Sequence, residues 1–165
     1  MKVGIIGSGI VAQVMGRAFL IEGNEIMIGS RNPQKDSIKK WKAENPGANA
    51  GSFAEAAAFG ELLVLAVAGH AALQALEATG LKSLEGKTII DITNPLSHEP
   101  PVNGVLKLST ASNTSLMEEL QLLVPKAKFV KAFNTVGNTQ MYKPSYKEVG
   151  RPCSYAGTTP QPKNK

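Results

Sequence analysis

Apolar side chains fall along this chain in short runs divided by polar or glycine-rich stretches. Residues 2–7 (KVGIIG) are almost continuously apolar, the pattern of a strand buried on both faces of a parallel sheet. Over residues 10–21 the large apolar Ile10, Val14, Phe19 and Ile21 mix with the small Ala12, Gly16 and Ala18, which predicts a helix packed closely on that sheet. Gly23-Asn24 ends it, and residues 25–29 (EIMIG) make a second strand. A polar helix is expected to about residue 44, with Asn32 as N-cap and Pro33 at its first position. The pattern then predicts a short edge strand (48–52), a helix of small residues (53–59), a strong strand (62–68), a helix (70–79) and a strand (87–92). Residues 94–112, which include Pro95, Pro100, Pro101 and Gly104, form a long connection. Ser115-Leu-Met-Glu118 is a capping box that starts a helix to about residue 123. A strand over 128–133, a polar irregular stretch over 142–151 and a last strand over 152–156 complete the pattern.

Strands alternating with helices predict an α/β fold: a doubly wound, mostly parallel Rossmann sheet of order 3-2-1-4-5-6 with helices on both faces. With 165 residues the chain makes one domain, over residues 1–157. Residues 158–165 contain no large apolar side chain and are expected to be a disordered tail. The net charge of +5 raises nucleic acid as a partner, but the lysines are scattered, aromatics are only 5%, and no arginine stripe exists, so no nucleic-acid partner is expected. No apolar run reaches the roughly 20 residues that span a bilayer, so no membrane partner is expected either. The single cysteine, Cys153, allows no disulfide within the chain, and a cytoplasmic location follows as the expectation.

The chemistry concentrates where strands end. Gly7-Ser8-Gly9-Ile10-Val11-Ala12 is G-x-G-x-x-A, directly after a buried strand and opening a helix, the context in which that spacing cradles a dinucleotide pyrophosphate. The second strand ends in Gly29-Ser30-Arg31-Asn32. An acidic residue there would hold the ribose 2′-hydroxyl of NAD; this chain offers a hydroxyl, a guanidinium and an amide instead, which suits the 2′-phosphate of NADP. His70, beside the crevice, could meet a phosphate or simply start a helix. Asp91 could cap the turn after its strand or act as a base. Neither histidine has metal-ligand spacing to a cluster of acids or cysteine, so no metal is expected.

The blocks MKVGIIGSGIVAQVMG, IGSRNPQK, LLVLAVA, IIDITNPL and KFVKAFNTVG resemble, in order, those of the F420-dependent NADP oxidoreductase family. They are also similar to the NADPH domain of the STEAP metalloreductases and, more distantly, to the N-terminal domain of pyrroline-5-carboxylate reductase. The resemblance implies hydride transfer between NADPH and F420 or a flavin, by stacked rings that need no catalytic acid or base from the protein. By matching position it implies that Gly7, Ser8, Gly9, Ile10 and Val11 hold the pyrophosphate, and Ser30, Arg31 and Asn32 the 2′-phosphate, with Lys35 assisting. Ala66, Val67 and Ala68 would lie along the adenosine ribose and pyrophosphate, and Asn94, Pro95, Ala132, Asn134 and Thr135 at the nicotinamide. Family members often carry proline where this chain has Ala68, with bulky residues rather than Gly69-His70 after it. They also continue beyond the strand at 152–156. The expectation is therefore either a truncated form or an acceptor site that is reduced, open or completed by a partner subunit, with a homodimer as one arrangement; a non-catalytic NADP-binding or redox-sensing module is the alternative to an enzyme.

Overall fold

The first apolar run builds the centre of the sheet. In a computed structural model, which describes residues 1–111 and 113–145, Lys2–Ile6 form β1, with Val3, Ile5 and Ile6 wholly buried. Strands β2 (Glu25–Gly29), β3 (Ala48–Gly51), β4 (Leu62–Leu65), β5 (Thr88–Asp91) and β6 (Lys128–Lys131) join it in one parallel sheet of order β3-β2-β1-β4-β5-β6. The order is the one the alternation of strands and helices predicts. The strand expected over 152–156 and the tail from 158 lie outside the described residues.

The pleat of each strand divides its side chains between two cores. Helices α1 (Ile10–Ile21) and α2 (Asp36–Glu44) cover one face, and α3 (Phe53–Phe59), α4 (Ala72–Glu77) and α5 (Leu116–Leu123) the other. Val3 and Ile5 pack with Ala12 and Met15 of α1 and Trp41 of α2, whereas Ile6 packs in the core that contains Phe53 and Ala56 of α3. Val64 goes to the first core, and Leu63 and Leu65 to the second. Each such side chain contributes roughly 1.5–3 kcal/mol of burial, which explains why both faces of a strand as short as β4 are apolar.

Small residues set how closely the helices approach. A Cβ at Gly4 would run into the Ala56 carbonyl, and one at Gly29 would sit 2.9 Å from the Ala56 Cβ. Helix α3 therefore lies almost backbone to backbone on β1 and β2. On the other face, a Cβ at Gly16 would sit 2.9 Å from the Trp41 ring, whose Nε1 donates to the Gln13 carbonyl at 3.2 Å.

Two helices begin with complete capping boxes, Ser52 with Glu55 on α3 and Ser115 with Glu118 on α5. The backbone N–H of each serine donates to its glutamate at 2.7 Å, and this is the main reason that both carboxyls titrate below the usual value of 4.5. A depressed folded pKa stabilises the fold above the unfolded value, and that contribution disappears as pH falls through the folded pKa. Glutamine at N3 keeps the box geometry but not the charge. The double variant Glu55→Gln/Glu118→Gln should therefore lose melting temperature less steeply than the wild type as the pH drops below about 4.5. Parallel melting profiles would rule this linkage out.

Some boundaries differ from the sequence expectation. Helix α2 starts at Asp36, not Pro33, because the Asn32 carboxamide oxygen accepts from the Gln34 N–H at 3.1 Å and closes a turn first. The strand expected over 62–68 ends at Leu65, and the helix expected over 70–79 divides into a 3-10 turn (Gly69–Ala71) and α4. The strands expected over 87–92 and 128–133 likewise contract to β5 and β6. The connection after β5 folds back on itself through bridges Leu96–Leu108 and Val102–Val105, leaving Val102, Val105 and Leu106 exposed. Among the described residues no helix is long and apolar enough to cross a membrane.

Candidate functional site

The carboxyl ends of the central strands enclose a crevice in two halves that share Gly9 and residues 66–68. The chain enters it at Gly7, whose φ of 138° and contact with the Ala66 carbonyl exclude any side chain. Gly7 N–H donates to the Gly29 carbonyl at 3.2 Å, and Gln13 Nε2 donates to the Ser8 carbonyl at 3.2 Å, so the turn is fixed on both sides. Gly9 is the N-cap of α1. No side chain caps this helix, no acidic residue stands in its first turn, and nothing lies within 4 Å of where a Gly9 Cβ would be. The first N–H groups of α1 lack acceptors among the described residues and carry the positive end of the helix dipole, while on α3 and α5 the capping serine accepts from the third helical N–H. Open space over this helix N-terminus, into which a Cβ at Gly9 would project, fits a pyrophosphate.

One half of the crevice, about 320 Å³, extends from this turn to the end of β2. Ser30 is buried there, and its hydroxyl accepts from Ser8 Oγ at 3.1 Å and from Asn32 N–H at 3.2 Å and lies 3.2 Å from the Asn32 carbonyl. It stitches the two turns together and is fully engaged in doing so. Arg31 and Lys35 line the same half, and neither forms an ion pair with another described residue. No carboxylate lines it among the described residues.

The other half, about 370 Å³, is mainly apolar, with Ile10, Val11, Ile92 and Leu96 beside Thr93 and Asn94. Behind it stand the ends of β5 and β6, where Asp91 pairs in register with Lys131. Asp91 is completely buried; its Oδ1 accepts from Thr93 N–H at 2.9 Å and Thr93 Oγ1 at 2.7 Å, and its Oδ2 lies 2.8 Å from Lys131 Nζ. Lys131 Nζ also donates to the Thr93 carbonyl. Asp91 thus caps the turn after its strand, one of its two roles anticipated from sequence. Asn94 Nδ2 donates to the Asn134 carbonyl at 2.8 Å. At the rim the His70 and His98 rings meet, with centroids 3.4 Å apart.

Of the residues singled out from sequence, Gly7, Ser8, Gly9, Ser30, Arg31, Asn32 and Lys35 gather in the polar half. Ile10 and Val11 line the apolar half, and Ala66, Val67 and Ala68 line both. Asn94 lines the apolar half, while Asn134 reaches it only through the bond to Asn94; Pro95, Ala132 and Thr135 line neither half. Sequence reasoning missed Phe53, Thr93, Ile92 and Leu96 as lining residues. Phe53 and Thr93 each stand two residues past the carboxyl end of a strand, where open α/β sheets bind ligands, and that rule could have found them.

Residues 2–95, more than half of the chain, match the family described as NADP oxidoreductase, coenzyme F420-dependent. A crystal structure from Arthrobacter sp. FB24, provisionally described as an F420-dependent NADP-reductase, is 36% identical with a TM-score of 0.80, over 87% of this chain and 67% of that one. The chain belongs to this family. A hypothetical protein from Sinorhizobium meliloti (22% identity, TM-score 0.69, 84% of this chain and 63% of the other) and an imine reductase from Bacillus cereus BAG3X2 (19%, 0.57, 79% and 39%) share its fold. The chain therefore spans about two thirds of the Arthrobacter relative and well under half of the imine reductase. Membership of the F420-dependent NADP oxidoreductase family makes it an NAD(P)-dependent oxidoreductase by type. The family match covers the phosphate turn, the end of β2 and Asn94-Pro95; residues 132–135 lie beyond it.

Proposed function

We propose that the protein binds NADP(H) in this crevice and exchanges a hydride between it and F420 or a flavin. The observation that carries this reading is the meeting of the α1 N-terminus, which no side chain caps, with Arg31 and Lys35, two cations that form no ion pair among the described residues, in a half-crevice that no described carboxylate lines. Gly7, Ser8, Gly9, Ile10 and Val11 receive the pyrophosphate. Arg31 and Lys35 neutralise the 2′-phosphate with Asn32 beside them, and Ser30 holds the turn that presents all three. Ala66, Val67 and Ala68 lie along the adenosine ribose and pyrophosphate. Asn94, Pro95, Ala132, Asn134 and Thr135 form the nicotinamide end, and Ile10, Val11, Ile92 and Leu96 supply an apolar wall that keeps water off a ring placed there. NADPH supplies the hydride, two electrons and one proton together, and leaves as NADP⁺ while the acceptor ring is reduced. No side chain is assigned as acid or base. The family supports F420 as acceptor, and the single cysteine supports a reducing cytoplasm.

The test follows NADPH and NADH binding by titration, and NADPH oxidation with F420, FMN, FAD and ferric chelates. NADPH should bind more tightly than NADH, and one of the ring acceptors should turn over. Equal affinity for the two nucleotides would sink the 2′-phosphate assignment. NADPH binding without turnover on any acceptor would favour a non-catalytic sensing module.

A further inference from the structure

We infer that Asp91 and Lys131 are positioning residues: their ion pair, closed over Thr93, ties the end of β5 to the end of β6 and so fixes Asn94 where the nicotinamide ring is held. This rests on the nicotinamide assignment proposed above. Three restraints act at or beside Asn94. First, Thr93 is held at its N–H and hydroxyl by Asp91 and at its carbonyl by Lys131. Second, Asn94 itself donates to the Asn134 carbonyl. Third, the Asn94 carbonyl packs on Gly69 so closely that a Cβ there has no room. The second restraint has a strained neighbour: Asn134 follows Phe133, whose φ of 60° is a conformation that a bulky residue adopts only when its surroundings impose it.

A buried ion pair is a poor way to stabilise a fold, because desolvation offsets much of its attraction and apolar side chains of equal size do as well. Ile89 and Phe129 already pack the body of these strands. The charges stand instead at the strand ends, and their hydrogen bonds reach forward into the loop that lines the crevice. What they add is a fixed loop geometry.

The test separates the two ends of the cofactor. Lys131→Met breaks the tie but leaves a buried carboxylate; Asp91→Asn/Lys131→Met removes both charges and guards against simple misfolding. Affinity for 2′,5′-ADP, which lacks nicotinamide, is measured by calorimetry, and the fluorescence anisotropy and emission of bound NADPH report on the ring. Both variants should keep 2′,5′-ADP affinity within about twofold of wild type, as expected for distant sites. Their bound NADPH should lose the restricted, shifted nicotinamide emission of the wild type. Unchanged emission in the double variant, a parallel loss of 2′,5′-ADP affinity, or a nicotinamide already free in the wild type would each overturn the inference. A wild type that fails to bind 2′,5′-ADP would instead overturn the proposed function.

Discussion

Replacing Lys131 with methionine is expected to cost about 3 kcal/mol of stability, read from urea unfolding at neutral pH. The change strands the Asp91 carboxylate, which is wholly buried, without its counter-charge. Breaking such a pair typically costs roughly 3–5 kcal/mol. The lower end applies here because the Lys131 side chain is 22% exposed, so water can approach, and because Thr93 still donates two hydrogen bonds to the carboxylate. Neutralising the partner as well, in Asp91→Asn/Lys131→Met, should recover most of the loss, since amide and methionine leave no buried charge. A loss below about 1 kcal/mol in the single variant would show that water already screens the pair as at a surface.

Arg31→Ala should weaken NADPH binding by about ten- to a hundredfold, the roughly 1.5–3 kcal/mol of a charge-assisted hydrogen bond, and leave NADH binding unchanged. Arg31 is exposed and has no partner of its own among the described residues, so its removal disturbs no internal contact. The same exposure makes the effect salt-dependent, larger in dilute buffer than at high ionic strength. Lys35→Ala should act in the same direction but more weakly, because an ammonium lacks the paired donors of a guanidinium. An equal loss for NADH would move the role of Arg31 from the 2′-phosphate to the shape of the turn.

The strands and most helices were legible because each carries its signal locally. KVGII is apolar at nearly every position because both of its faces are covered, and the glycines at 4, 7 and 29 mark the places where backbone meets backbone. The start of α2 was misjudged for an equally local reason: Asn32-Pro33 has the composition of a helix start, yet Asn32 uses its carboxamide to close a turn. That turn matters to the site, since it delays the helix until Lys35 has lined the crevice. The polar half of the crevice was readable from spacing because its residues cluster in two short segments. The partnership of Asp91 and Lys131 was not, because the two stand 40 residues apart and only the parallel register of β5 and β6 sets them side by side. The left-handed Phe133 had no signal at all, since nothing in the composition of KAFNT announces a positive φ.

The chain's one tryptophan gives the molecule a built-in optical probe. Trp41 donates to the Gln13 carbonyl, and the Gln13 side chain donates to the Ser8 carbonyl in the phosphate turn. An indole on α2 is therefore wired, through one residue of α1, to the loop that a dinucleotide would press against. Because no second indole contributes, any change in tryptophan emission on adding a nucleotide reports on this single ring. Ligand occupancy becomes readable without a label, and the response should weaken when Gln13, which links the indole to the turn, is replaced.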